Sequence, residues 1–289
     1  MVMGMTMPSV AKNRITTVVA DHPGLVKIGQ AGWLAKGVVY VLAGVLAITV
    51  VIRAVGSTVV GGPTQEASPT GAIKEVAGLS GGRVLLVVLG VGLLIYALWR
   101  VLTAVLPGGT DAEALATRIG YLVSAVLYAT FAATALSLAR HPVQRTDGNQ
   151  KVKDLTARML GFPFGRFVVG AAGVIALGAG IYRVVKGAKG DVTAELNLSR
   201  LSPARIRLTK RLGVIGEVGR GIAVMLIGFF LVRAAVTADA QESTGLDGAL
   251  TRLSSSQGGR MVVAVVAVGF LLYGLMCIET FQHRTLRAP

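Results

Sequence analysis

Four polar side chains lie within or beside long apolar segments, and packing alone does not explain them. Glu217 and Arg220 stand three residues apart, so a helix places them on one face where they can form an ion pair. Lys36 and Ser124 occupy the corresponding places in two related segments. An ionisable group inside a membrane is costly unless it is paired. We therefore predict a polar site of Lys36, Ser124, Glu217 and Arg220 that holds an anionic solute or lipid headgroup.

An alternative interpretation is that these residues are anchors whose charged ends reach the membrane surface. Aromatic and basic residues elsewhere fit the same role, because Trp, Tyr and basic side chains concentrate where lipid meets water. Six residues form this predicted set of interfacial anchors: Trp33, Tyr121, Trp99, Arg100, Tyr182 and Arg183. The sequence alone leaves both interpretations open.

The sequence contains no pattern typical of a catalytic or metal site. It lacks a phosphate-binding loop, an HExxH motif, paired cysteines and a GxSxG elbow. The three histidines share no ligand spacing, and the one cysteine, Cys277, lies in an apolar run. We therefore predict no catalytic residue, no metal, no cofactor and no enzymatic activity. Apart from Glu217 and the edge residue Glu279, no carboxylate lies in an apolar segment, which disfavours ion-coupled transport.

Composition indicates a membrane protein. Hydrophobic residues make up 53% of the chain and charged residues 15%, against roughly 25% charged in soluble domains. The net charge of +15 is concentrated at the ends of apolar segments, where anionic lipid headgroups attract basic side chains. The membrane thus accounts for the charge without nucleic acid. The predicted partners are membrane lipids, with other membrane proteins as further candidates.

Six uncharged runs, at 37–52, 84–99, 119–139, 167–182, 221–232 and 261–278, predict the fold class. Several of these runs fall short of the ~20 residues that cross a bilayer, and each extends once a snorkelling basic residue near its end is admitted. We predict an all-α membrane protein with six transmembrane helices. More of the 29 basic residues fall on the side of both termini than on the other. The positive-inside rule therefore predicts a multi-pass protein of the bacterial inner membrane with cytoplasmic termini.

The apolar segments recur as three copies of a two-helix unit. Odd-numbered segments open with Gly32-Trp33 and Lys36-Gly37, Gly120-Tyr121 and Ser124-Ala125, and Gly216-Glu217 and Arg220-Gly221. Even-numbered segments open with Gly82-Arg83, Gly165-Arg166 and Gly259-Arg260. Because each unit crosses the membrane twice, every copy enters from the same side, and the repeats are parallel about an axis along the membrane normal.

The repeats predict the organisation of the whole chain. A polar N-terminal segment (1–27) precedes repeat 1 (28–107) and repeat 2 (110–190). A linker (191–204), repeat 3 (205–284) and a C-terminal tail (285–289) follow. Apolar residues at steps of three and four predict a short amphipathic helix inside each unit: Ile73, Val76 and Leu79, then Val152, Leu155 and Met159, then Leu246, Leu250 and Leu253. The small-residue ladder Ala125, Ala129, Ala133 and Ser137 predicts a close helix–helix contact.

These openings resemble the actinobacterial domain of unknown function 1206 family, whose unit is a pair of transmembrane helices that occurs three times per protein. The resemblance runs from about Gly29 to Phe281. The third copy departs from it, with Glu217 in place of the aromatic and Val224 in place of Tyr40. The resemblance implies architecture and no activity. Mitochondrial carriers share the three-repeat geometry only, because their proline–acidic–basic signature is not matched at Pro142.

Two functions remain for such a bundle. The first is a structural or interaction subunit that binds lipid or partner membrane proteins. The alternative is a small-solute or lipid transporter or channel with a pseudo-threefold axis. A water-filled cavity lined by Lys36, Ser124 and Arg220 would favour the alternative, and a packed axis would favour the first.

Overall fold

The structure is a computed structural model that describes residues 23–55, 69–77, 81–105, 112–141, 148–190 and 202–283. The predicted polar segment up to residue 22, the linker residues 191–201, the tail 285–289 and Leu79 lie outside the described residues. The described chain forms α1 (Pro23–Val55), α2 (Pro69–Ala77), α3 (Gly82–Val105), α4 (Ala112–Arg140), α5 (Gly148–Leu160), α6 (Gly165–Ala188), α7 (Pro203–Thr237), α8 (Leu246–Ser254) and α9 (Gln257–Thr280). Two short 3₁₀ helices cover Ala240–Glu242 and Phe281–His283.

Among these helices, six are long and apolar enough to cross a membrane. Their spanning parts are Gln30–Ile52, Gly82–Val105, Thr117–Arg140, Gly165–Ala188, Pro203–Thr237 and Gln257–Thr280. The predicted all-α architecture of six spans is confirmed, and the protein is a multi-pass membrane protein. At 1.5 Å per residue, the 35 residues of α7 extend for roughly 52 Å. Because the apolar core of a bilayer is about 30 Å thick, α7 projects beyond it.

The helices α2, α5 and α8 are the predicted short amphipathic helices, one in each repeat. Ile73 and Val76 of α2 and Leu250 of α8 are buried against the bundle. Leu155 of α5 is exposed instead. This difference arises because α5 packs against α6, α8 and the first 3₁₀ helix, not against the centre of the bundle.

The six spans pack side by side in the order α4, α3, α1, α9, α7, α6. The three most extensive contacts, α3–α4, α6–α7 and α9–α1, each join the second span of one repeat to the first span of the next repeat. Within repeats 1 and 3 the two spans also touch, as α1–α3 and α7–α9. In repeat 2, by contrast, α4 and α6 have no extensive contact in the part of the chain that the structure describes.

Glycine opens each even-numbered span because the chain turns sharply there. A methyl group at Gly82, Gly165 or Gly259 would overlap the carbonyl oxygen of the residue six positions earlier. These carbonyls belong to Val76, Met159 and Leu253, at or near the ends of the three short helices. The glycine of the repeated Gly-Arg opening is therefore a steric requirement of the turn from short helix to span.

The small-residue ladder of α4 is not a helix–helix contact, so that prediction was wrong. Ala125 is buried, but Ala129, Ala133 and Ser137 are exposed. The face of α4 that packs on the bundle carries larger residues as well as alanines, namely Tyr128, Phe131, Ala132, Ala135 and Leu138. Close approach occurs at glycines elsewhere. A Cβ at Gly219 of α7 would lie 2.6 Å from the Cα of Gly269 of α9.

Candidate functional site

Lys36 of α1 points into the bundle, and its side chain is almost fully buried, with 3% of the residue exposed. Its Nζ lies 4.2 Å from the ring centroid of Trp33, and 5.0, 5.1 and 5.3 Å from those of Tyr96, Tyr273 and Tyr128. It donates a hydrogen bond of 3.1 Å to the Tyr96 hydroxyl. Because a desolvated cation over an aromatic face gains about 2 kcal/mol, the rings compensate part of the hydration that the ammonium loses.

The tyrosines of this cluster come from equivalent places in the repeats. Tyr96 and Tyr273 follow the arginine of the Gly-Arg opening by thirteen residues, and Ala179 takes this place in repeat 2. The rings of Tyr96 and Tyr128 pack edge to face at 4.6 Å between centroids. The Tyr128 and Tyr40 hydroxyls are 3.5 Å apart. The common offset from Gly-Arg is the signal by which the sequence could have identified Tyr96 and Tyr273 as site residues.

Glu217 of α7 is shared by two arginines. Its Oε1 accepts a hydrogen bond of 2.8 Å from Arg220 Nη1, and its Oε2 accepts one of 3.1 Å from Arg183 Nη1 of α6. The Arg220 guanidinium also lies 4.0 Å from the Tyr273 ring. The side chains of Glu217 and Arg220 are 18% and 11% exposed, whereas that of Arg183 is 33% exposed. Arg183 is therefore the member of this ion-pair group that is most accessible from outside the bundle.

The predicted interfacial anchors divide into two groups. Trp33 is buried beside Lys36, and Arg100 Nε donates to the Tyr96 hydroxyl at 2.8 Å while its guanidinium lies 4.8 Å from the Tyr121 ring. Trp33 therefore differs from the prediction, because the face of α1 that carries it points into the bundle, whereas Arg100 is half-buried and its role as an anchor stays a prediction. Trp99 is half-buried and Tyr182 is exposed on the outside of α6.

We call ten of these residues the basic–aromatic cluster: Trp33, Lys36, Tyr40, Tyr96, Arg100, Tyr128, Arg183, Glu217, Arg220 and Tyr273. The cluster lies toward the side of the membrane that holds the start of α1. Lys36 comes six residues after the beginning of its span, and Arg183 five residues before the end of its span. At 1.5 Å per residue these positions are roughly 8–9 Å from the span ends. The site is thus within reach of a lipid headgroup.

At two positions equivalent to cluster residues, repeat 2 carries small residues. Ser124, half-buried on α4, stands where repeats 1 and 3 carry Lys36 and Arg220. A Cβ at Gly120 would meet no atom within 4 Å, whereas its equivalents Gly32 and Gly216 pack against Tyr96 and Tyr273. With Ala179 in place of the third tyrosine, α4 and α6 lack the residues that join the spans of the other two repeats. The cluster is therefore least enclosed between α4 and α6.

Comparison with known proteins agrees with the threefold architecture. The sequence profile of a family described as Domain of Unknown Function (DUF1206) matches residues 31–106, 119–190 and 215–279. Each matched segment falls within one predicted repeat, while the repeat boundaries and the actinobacterial origin stay predictions. The uncharacterized protein YxxB of Bacillus subtilis (strain 168) is 32% identical over 268 residues, which cover 91% of this chain and 93% of that protein. No solved structure matches significantly. From these matches and the three two-span repeats, the chain belongs to the DUF1206 family.

Proposed function

We propose that this protein is a non-enzymatic structural or interaction subunit of the bacterial cell membrane, and that its basic–aromatic cluster binds the anionic headgroup of a membrane lipid. The sharing of Glu217 by Arg183 and Arg220 carries this proposal. Two guanidiniums and one carboxylate leave one positive charge in this group. Because a guanidinium offers five N–H donors, Arg183 retains donors for a phosphate after it has bound Glu217.

Access from the lipid supports a membrane lipid as the ligand. Arg183 is the most exposed member of the ion-pair group, at 33% of its side chain. It lies on α6, next to the side where α4 and α6 have no extensive contact in the described chain. A lipid can therefore reach Arg183 laterally, with its acyl chains along the apolar helices. With the cytoplasmic termini that we propose, the lipid belongs to the inner leaflet.

Transport along the pseudo-threefold axis is a less favourable hypothesis. Lys36, Tyr96, Tyr128 and Tyr273 are all buried at this level, and their side chains contact one another. Aromatic packing of this kind gives a cation a fixed environment and leaves little room for a solute to pass. It therefore supports a role in binding over a role in conduction.

We expect Arg183→Gln to weaken binding of phosphatidylglycerol about tenfold, because the change removes a charge-assisted hydrogen bond to the phosphate. The full chain, purified in mild detergent, is titrated with phosphatidylglycerol and phosphatidylcholine and followed by native mass spectrometry. The wild type should prefer phosphatidylglycerol. Arg183→Gln should fold, since Glu217 keeps its 2.8 Å contact with Arg220.

Arg205→Gln is the matched control. Arg205 lies on the same side of the membrane, its side chain is 61% exposed, and it stands 3.9 Å from Glu279. Its replacement removes the same charge from outside the cluster and should leave the preference unchanged. Equal binding of the two lipids by the wild type, or equal losses in both variants, would contradict the proposal. Co-purification of a membrane protein in place of lipid would indicate a protein partner.

A further inference from the structure

A second arrangement of two arginines around one glutamate lies at the opposite end of α7. Glu242 Oε1 is 3.1 Å from Arg233 Nη2, and its Oε2 is 3.5 Å from Arg252 Nη1. Arg233 follows Glu217 by sixteen positions on the same helix, which corresponds to roughly 24 Å along α7. This second group is therefore near the other membrane surface and is independent of the basic–aromatic cluster.

The second group lines a cavity of about 560 Å³ between α7, the first 3₁₀ helix and α8. Volumes of this size are typical of sites for small ligands. Phe229 and Phe230 form its apolar part, and Arg233, Glu242 and Arg252 form its charged part. The cavity thus combines an apolar surface and cationic donors within one opening.

The two arginines have different roles in this cavity. Arg252 Nη2 donates to the carbonyl of Gln241 at 2.7 Å and its Nη1 to the carbonyl of Glu242 at 3.2 Å, while its guanidinium lies 5.3 Å from the Phe230 ring. These contacts hold the Arg252 side chain in place against the first 3₁₀ helix and Phe230. Arg233 contacts Glu242 through one nitrogen, and its side chain is 51% exposed. Arg233 is therefore the residue that presents its donors to a ligand.

The position of Phe229 indicates which kind of ligand fits. Phe229 is 52% exposed on a membrane-spanning helix, one turn before Arg233. A soluble anion would use Arg233 alone, whereas a glycerophospholipid would place its phosphate at Arg233 and its acyl chain along Phe229. We propose that this cavity binds the phosphate of a glycerophospholipid in the leaflet opposite the chain termini, with Arg233 as donor and Phe229 as the acyl-chain contact.

The test uses the full chain in mild detergent, with phosphatidylglycerol and the soluble glycerol 3-phosphate as separate probes, and counts bound molecules by native mass spectrometry. Arg233→Gln should weaken one lipid-binding event about tenfold through the loss of a charge-assisted hydrogen bond. The variant should fold because Glu242 keeps Arg252. Phe229→Ser should weaken the same event while all charges remain. Glycerol 3-phosphate should bind far more weakly than the lipid.

Arg140→Gln is the matched control, because Arg140 is exposed on the same side of the membrane and lies outside the cavity. Three results would overturn this proposal. The first is an equal loss of lipid affinity in Arg140→Gln and Arg233→Gln, and the second is no loss in Arg233→Gln. The third is an affinity for glycerol 3-phosphate equal to that for phosphatidylglycerol. If Arg233→Gln failed to fold, an unchanged affinity in Phe229→Ser would overturn it too. Arg183→Gln reports on the basic–aromatic cluster, so the two proposals can fail separately.

Discussion

Replacement of Glu217 by glutamine is expected to lower the free energy of unfolding by about 1–3 kcal/mol, the typical cost of leaving the partners of a lost hydrogen bond unsatisfied in a largely buried place. Glu217 is the carboxylate that contacts both Arg183 and Arg220. Glutamine keeps the size of the side chain but leaves two guanidiniums close together, with the Lys36 ammonium also in the cluster. No negative charge then remains in this group to offset the repulsion between the guanidiniums and their incomplete solvation.

The change can be measured as the unfolding midpoint in detergent, followed by tryptophan fluorescence. Trp33 lies in the cluster and Trp99 is the neighbour of Arg100 in the chain, so the emission of the two tryptophans reports on the affected region. Glu242→Gln serves as the matched control, since its arginine partners are 51% and 38% exposed and exposed ion pairs contribute only about 0–1 kcal/mol. The double change Glu217→Gln, Arg220→Met should recover part of the stability by removing a buried charge. Equal stability of Glu217→Gln and the wild type would refute this account of the cluster.

Two glycines on α6 should respond in opposite directions to the same substitution. A Cβ at Gly180 would lie 2.7 Å from the carbonyl oxygen of Gly221 and 2.9 Å from the amide nitrogen of Met225 on α7. Neither backbone atom can move without shifting a helix, so Gly180→Ala should cost about 1–3 kcal/mol, as overpacking does. A Cβ at Gly178 would meet nothing within 4 Å. Gly178→Ala should therefore stabilise the helix by up to about 1 kcal/mol through helix propensity.

Thermal unfolding of the two single variants in the same detergent checks this difference. The comparison is well matched because the residues lie two positions apart on one helix and the chemical change is identical. An unchanged midpoint for Gly180→Ala would show that α6 does not pack on α7 through this face. A lower midpoint for Gly178→Ala would contradict the open surroundings of Gly178.

The number and repeat of the spans could be predicted because they depend on length, hydropathy and recurring motifs. The inward orientation of Trp33 and Arg100 could not be predicted from the sequence. In a membrane both the lipid-facing and the protein-facing sides of a helix are apolar, so the pattern of hydrophobic residues does not identify the buried side. The wrong assignment of Ala129 and Ala133 to a helix contact has the same origin.

The composition of the site was predictable only within one helix. Glu217 and Arg220 share a helix face, so their spacing suffices to expect an ion pair. Arg183 lies 34 residues before Glu217, and its approach to Glu217 depends on how the spans of neighbouring repeats pack. The separation of α4 from α6 was equally hidden, because the openings of the three repeats are similar and the differences lie at single positions such as Ser124 and Ala179.

The contact between α1 and α9 has a consequence for how the protein is made. The first span packs against the last, and Lys36 needs the ring of Tyr273 to complete its surroundings. At about 5–20 residues per second of synthesis, the 237 residues that separate them take on the order of ten to fifty seconds. Trp33 precedes Lys36 in the chain, and Tyr96 and Tyr128 follow it by 60 and 92 residues. Three of the four rings that surround the ammonium are therefore synthesised before the last span.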